Sequence, residues 1–167
     1  EDTTAQVTNS TGSTGKTMFI AWTTTPWTLP ANLALCVNPN SAYVRFKVNN
    51  DKKPDPNIYI MGKNSVPNLF DPEKITVLNE VKGSELVGTS YVPIYPFTQA
   101  IDKVVQSDRE YKVVADLYVK DEKAGSGIVH LAPAFGDDDF RVCSANGLVT
   151  NITVSNYCPI DDYGRFT

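Results

Sequence analysis

The chain has 167 residues, of which 41% are hydrophobic and 20% charged, enough for one globular domain with a core and too apolar for a disordered segment. A formal net charge of -4 argues against a protein that wraps a long nucleic-acid duplex, but leaves room for a grip on the end of a single strand. No apolar run is long enough to span a bilayer, no signal-peptide pattern opens the chain, and a start at Glu1 without Met reads as a piece of something longer.

Residues 1–16 are small and polar without periodicity and are expected to form a flexible lead-in or linker, with the domain proper at 17–167. Within the lead-in, Ser10 to Thr17 nearly spells a phosphate-binding loop. Ser10 stands where glycine is needed, and the segment leads into a strand, not out of one. Asn9-Ser10-Thr11 and Asn151-Ile152-Thr153 match the glycosylation sequon, a chance match in an Asn- and Thr-rich chain. Cys36, Cys143 and Cys158 form no CxxC and leave an odd number, which fits a reducing cytosol better than a disulfide framework or a zinc site.

Thr17 to Ala21 reads as a strand. The run Trp22-Thr23-Thr24-Thr25-Pro26-Trp27-Thr28-Leu29-Pro30-Ala31-Asn32 follows it. Pro26 and Pro30 remove backbone donors, so the ladder gives way to a loop with hydroxyls at its rim. Such hydroxyls can orient a water or a ribose, but threonine is also common in ordinary edge strands, and composition leaves both readings open.

Further strands are expected at Ala34–Val37 and, after an Asn38-Pro39-Asn40 turn, at Ala42–Val48. There Tyr43, Arg45 and Lys47 share one face and Val44, Phe46 and Val48 the other. Residues 49–57 read as a loop, 58–61 as a strand, 63–70 as a short helix containing Pro67, and 74–81 as a strand. Gly83 and Gly88 permit turns in the Lys82 to Tyr91 segment, with Leu86 and Tyr91 directed to the core. Residues 111–119 read as a strand, 120–127 as a hairpin-like turn and 128–132 as the return strand. Beyond Pro133 and a turn at Gly136, Asp137 is the expected N-cap of a helix reaching Asn146, with Gly147 as its stop and Asp138 and Asp139 in its first turn. Many short strands between Gly and Pro turns indicate a mainly β fold with a few helices, a sandwich or barrel. The adjacent aspartates lack the spacing of a calcium loop, and His130 has no partner at metal-ligand spacing.

Two motifs carry a family resemblance. The Thr-Thr-Thr-Pro-Trp-Thr-Leu-Pro-Ala-Asn run resembles the threonine-rich signature of the editing domain inserted in isoleucyl-tRNA synthetases. Leucyl and valyl relatives continue instead with an Arg-Pro-Glu-Thr type sequence. His130-x-Ala132-Pro133-x-x-Gly136-x-x-Asp139 resembles that family's second signature. The Lys82 to Tyr91 segment, and Pro159 to Phe166 with its Pro-x-Asp-x-x-Gly-x-Phe pattern, are also similar to family segments. Phe135-Gly136-Asp137 stands where many bacterial relatives have His-Gly-Pro and looks more like the cytosolic eukaryotic type.

The resemblance implies a closed β-barrel editing domain. It also implies an aminoacyl-tRNA deacylase that clears valine from the 3′-terminal adenosine of isoleucine tRNA. Thr23, Thr24 and Thr25 would contact the ribose and the attacking water. Asp139 would hold the α-ammonium, and His130 would lie beside the amino-acid side chain and limit its size. Trp22, Trp27, Thr28, Asn32, Pro133, Phe135, Gly136 and Asp138 would complete the substrate-binding surface, with no metal and no cofactor. The expected partners are that tRNA end and the remainder of a synthetase chain, in the cytoplasm, with no membrane and with the isolated domain a monomer. The alternative is a non-catalytic barrel that binds a tRNA 3′ end or an aminoacyl-adenosine-like molecule.

Overall fold

The computed structural model describes residues 3–7, 15–49, 55–95, 110–120, 125–161 and 163–166. Eight strands are described: β1 (Thr3–Val7), β2 (Thr17–Ala21), β3 (Ala34–Val37), β4 (Ala42–Val48), β5 (Ile58–Gly62), β6 (Ile75–Lys82), β7 (Lys112–Ala115) and β8 (Ile128–Leu131). They form a five-stranded sheet in the order β1-β2-β5-β4-β6 and a three-stranded sheet in the order β7-β3-β8. Three short α-helices accompany them: α1 (Val66–Leu69), α2 (Gly83–Leu86) and α3 (Asp137–Ala145).

Side-chain alternation builds the layers. Leu35 and Val37 of β3 join Phe19 and Ala21 of β2, Tyr43 of β4 and Ile60 of β5 in a core between the sheets. The intervening Ala34 and Cys36 face the other way, into a cluster covered by Val142 and Cys143 of α3. Likewise Val44 and Phe46, opposite in face to Tyr43, pack with Ile20, Met61 and Val66 under α1. The two faces expected of β4 therefore serve two separate clusters, and each sheet is covered on its outer side by a helix. Pro67 sits in the first turn of α1, where its missing N–H costs nothing.

The expected closed barrel is not what forms: among the described residues neither sheet closes on itself. The sheets meet at one corner, where Trp22 bridges Val129 in parallel and Trp22 N–H donates to Ile128 O at 3.3 Å. Gly62 N–H adds a bond to Ser126 O at 2.8 Å. The seam stops there because Pro26 opens a 3-10 turn, Pro26–Ala31, that carries the chain out of the ladder.

Other expectations shift locally. The lead-in contains β1, which pairs antiparallel with β2 and covers an edge that would otherwise leave backbone groups unpaired. The strand expected at 111–119 ends at Ala115. The Asp116 carboxylate accepts the Tyr118 N–H at 2.9 Å and turns the chain. Leu86 and Tyr91 are buried as expected. Gly83 is required for close approach: a Cβ there would lie 2.0 Å from the Asn38 carbonyl oxygen. The near phosphate loop at 10–14, the Asn9 sequon, and residues 50–54 and 121–124 of the expected loop and hairpin turn lie outside the described residues.

Candidate functional site

The end of β2 and the start of β8 run side by side at the corner, and each brings functional side chains into the same hollow. From the first come Trp22, Thr23, Thr24, Thr25 and Thr28; from the second, Val129 and His130; from the turn and helix beyond it, Phe135, Gly136 and Asp139. Together they enclose a cavity of about 340 Å³. Two segments about a hundred positions apart in sequence thus share one wall.

The threonine run is held locally. Thr25 N–H donates to Thr23 Oγ1 at 3.0 Å, a side-chain turn that bends the strand end. Thr28 N–H and Thr28 Oγ1 both donate to Thr25 O, at 3.0 and 2.9 Å. Thr28 Oγ1 also lies 3.1 Å from His130 Nε2, a buried contact that ties the first segment to the second. Thr24 and Thr25 are exposed. Burial pushes the pKa of His130 down to about 4, so its ring is neutral at physiological pH.

Asp139 sits in the first turn of α3, part-buried, with Oδ2 accepting the Ala132 N–H at 2.9 Å. That bond pins the helix start to the end of β8. Burial raises the Asp139 pKa above the usual carboxylate value. The Ala132 N–H opposes the shift, and the neighbouring charge of Asp138 adds to it. Gly136 packs against this carboxylate: a Cβ there would lie 3.1 Å from Asp139 Cγ and 3.2 Å from Oδ2.

The three adjacent aspartates point three ways. Asp139 turns back to Ala132. Asp138 is exposed and pairs with Arg141 at 3.1 Å, and Arg141 also grips Asp116 at 2.8 Å. Asp137 lies beside a second cavity and does not cap the helix, because Gly136 occupies the N-cap and no side chain accepts from the first turn. An extended Gly136 places the chain so that the third aspartate, not the first, reaches back to a backbone N–H.

Some expected site residues lie apart from the first cavity. Asn32 is buried: its amide donates to Ala34 O at 2.9 Å and accepts the Tyr91 hydroxyl, so it braces the loop. Trp27 is exposed and packs edge-on against Phe135 at 5.1 Å, clamping the turn. Pro133 lines the second cavity, of about 450 Å³, which shares Phe135 and Gly136 with the first. That cavity is larger and is lined by Asp137, Ser155 and Cys158, but the threonine run, His130 and Asp139 line only the smaller one. Val129 lines the smaller cavity and was not expected there. Its isolated bridge to Trp22, two segments away in the chain, leaves no local sequence signal.

The fold is that of a synthetase editing domain. A crystal structure described as GlLeuRS-CP1 superposes with a TM-score of 0.66 at 17% identity, covering 98% of this chain and 72% of that one. The editing domain of the P. falciparum cytosolic leucyl-tRNA synthetase gives 0.60 at 22% identity, covering 75% of this chain and 44% of that one. In sequence the chain belongs with the isoleucine–tRNA ligases, of which it spans a segment. It is 46% identical over 136 residues to a probable cytoplasmic isoleucine–tRNA ligase of Dictyostelium discoideum, covering 81% of this chain and 12% of the relative. It is 40% identical over 156 residues to the cytoplasmic isoleucine–tRNA ligase of Saccharomyces cerevisiae, covering 91% of this chain and 14% of the relative. No family model matches the chain. Among the described residues no helix is long and apolar enough to cross a membrane.

Proposed function

We propose that the chain is the proofreading part of a cytoplasmic isoleucine–tRNA ligase, and that it hydrolyses the ester joining valine to the terminal adenosine of isoleucine tRNA. The observation that supports this reading is the single small cavity in which Thr23, Thr24, Thr25, Thr28, His130 and Asp139 meet. The need for such a site is energetic. One missing methylene is worth only ~1–3 kcal/mol in a binding pocket, a general figure for which the isoleucyl enzymes are the standard illustration.

In this reading Asp139, ionised, accepts the α-ammonium of the bound amino acid in a charge-assisted hydrogen bond. His130 bounds the space for its side chain, so that the shorter branch enters and the longer one does not. Thr23, Thr24 and Thr25 orient the ribose and the water. The water oxygen bonds to the ester carbonyl carbon, the bond from that carbon to the ribose oxygen breaks, and the water's proton ends on the ribose oxygen. A neighbouring ribose hydroxyl helps carry it. The rate gain comes from positioning and from stabilising developing charge.

The test is release of amino acid from isoleucine tRNA charged with valine or with isoleucine. The chain is assayed first, then a complete isoleucine–tRNA ligase that contains it. Valine is released faster than isoleucine, and Asp139→Ala abolishes the release. Binding of the charged end without release from either protein would instead favour the non-catalytic reading.

A further inference from the structure

Thr28 has one hydroxyl proton to give, and the Thr25 carbonyl 2.9 Å away can only accept it. The same oxygen lies 3.1 Å from His130 Nε2. With its proton committed to the carbonyl, the hydroxyl meets the imidazole as an acceptor, so Nε2 must carry the hydrogen. A neutral imidazole holds one such proton, which leaves Nδ1 as a bare acceptor. That atom is buried and has no hydrogen-bond partner among the described residues.

We propose that Thr28 is a positioning residue: it fixes His130 as the Nε2–H tautomer in one ring orientation, and so sets the wall against which the amino-acid side chain is measured. Thr28 is buried, is bonded to the carbonyl of the exposed Thr25, and works through the histidine. The neutrality of His130 at physiological pH is what makes the single-proton argument hold. Without the hydroxyl, a ring flip would put each nitrogen where a ring carbon had been and move the edge that faces the cavity. The consequence for selectivity rests on the deacylase reading above; the tautomer assignment does not.

The chain has a single histidine, so a long-range 1H–15N imidazole spectrum of the labelled chain reports His130 alone. The expected pattern is a protonated nitrogen coupled to both ring-carbon protons, which marks it as Nε2, and an unprotonated Nδ1. Thr28→Val, similar in shape without the hydroxyl, gives exchange-averaged or inverted nitrogen shifts. Thr28→Ser keeps the parent pattern. A protonated Nδ1 in the parent chain, or an unchanged spectrum in Thr28→Val, overturns the assignment. In hydrolysis, Thr28→Val lowers the preference for the valyl over the isoleucyl ester by roughly three- to tenfold, the size of one orienting hydrogen bond, and Thr28→Ser restores it. An active Thr28→Val protein with an altered spectrum and an unmoved preference overturns the positioning role. If Asp139→Ala still cleaves the valyl ester at the parent rate, the deacylase reading falls, while the tautomer is decided by the spectrum alone.

Discussion

Replacing Asp139 with asparagine separates its two jobs, because only one of them needs a charge. The amide oxygen of asparagine can still accept the Ala132 N–H that Asp139 Oδ2 accepts at 2.9 Å, so the tie between α3 and β8 survives. The negative charge for the substrate ammonium does not. A hydrogen bond to a charged group contributes about 1.5–3 kcal/mol, so kcat/KM for the valyl ester should fall by about ten- to 150-fold. Stability should move the other way. Burial raises the Asp139 pKa in the folded chain, so whatever the protonated form contributes is lost as pH rises through that value, and the ionised carboxylate is a burden near pH 7. The Asp139→Asn chain should therefore melt at the parent temperature or above it. Asp139→Ala also leaves the Ala132 N–H without its acceptor, at a cost of about 1–3 kcal/mol, and should melt lower by about 2–4 °C per kcal/mol. Melting by circular dichroism and ester hydrolysis are read on the same preparations. An Asp139→Asn chain that hydrolyses at the parent rate, or that melts as low as Asp139→Ala, refutes the reasoning.

Acid should weaken the fold through His130. Its pKa is about 4 when folded and about 6.5 when unfolded, so the unfolded state binds more protons in that interval; stability falls as pH drops from about 6.5 to 4, by on the order of 3 kcal/mol, and denaturant melts of His130→Gln should lose that slope. Gly136→Ala has an ordinary backbone conformation to adopt but crowds the Asp139 carboxylate from 3.1 Å, so hydrolysis should drop several-fold while the melting temperature holds; a loss confined to stability would refute this. Leu35→Ala, in the core between the sheets, should cost about 2–5 kcal/mol in urea unfolding, whatever happens at the cavity.

Where local pattern and burial agree, the sequence was readable. The strands at 17–21, 34–37, 42–48 and 58–62 announce themselves by β-branched and aromatic residues bounded by turn formers, and α3 by its glycine-flanked span. What was not readable depended on partners distant in sequence. The early end of β7 follows from Asp116, which takes the Tyr118 N–H and the Arg141 guanidinium 25 positions away. Asp137 had the composition of an N-cap, yet the helix begins so that Asp139 reaches Ala132 instead. Barrel closure was expected from family resemblance, but among the described residues the corner between the sheets carries one bridge and a few backbone bonds and no continuous ladder. At the site, residue types came from motif resemblance, while the Thr28 to His130 contact spans 102 positions and no spacing rule could supply it.

The bond from Ala132 to Asp139 has one more effect. His130 lies in β8 and Ala132 is the residue just past its end, a separation of about 6.6 Å at extended pitch. Because the anionic group is fastened to Ala132, the gap between it and the imidazole is spanned by rigid backbone, like the jaws of a fixed caliper. Thr23, Thr24 and Thr25 precede the 3-10 turn and can give way to the ribose, while Thr28 within the turn keeps its 3.1 Å hold on the imidazole. A change in which amino acid is admitted must therefore come from the jaw or from the Thr28 contact that orients it, since moving the exposed threonines leaves the gauge where it was.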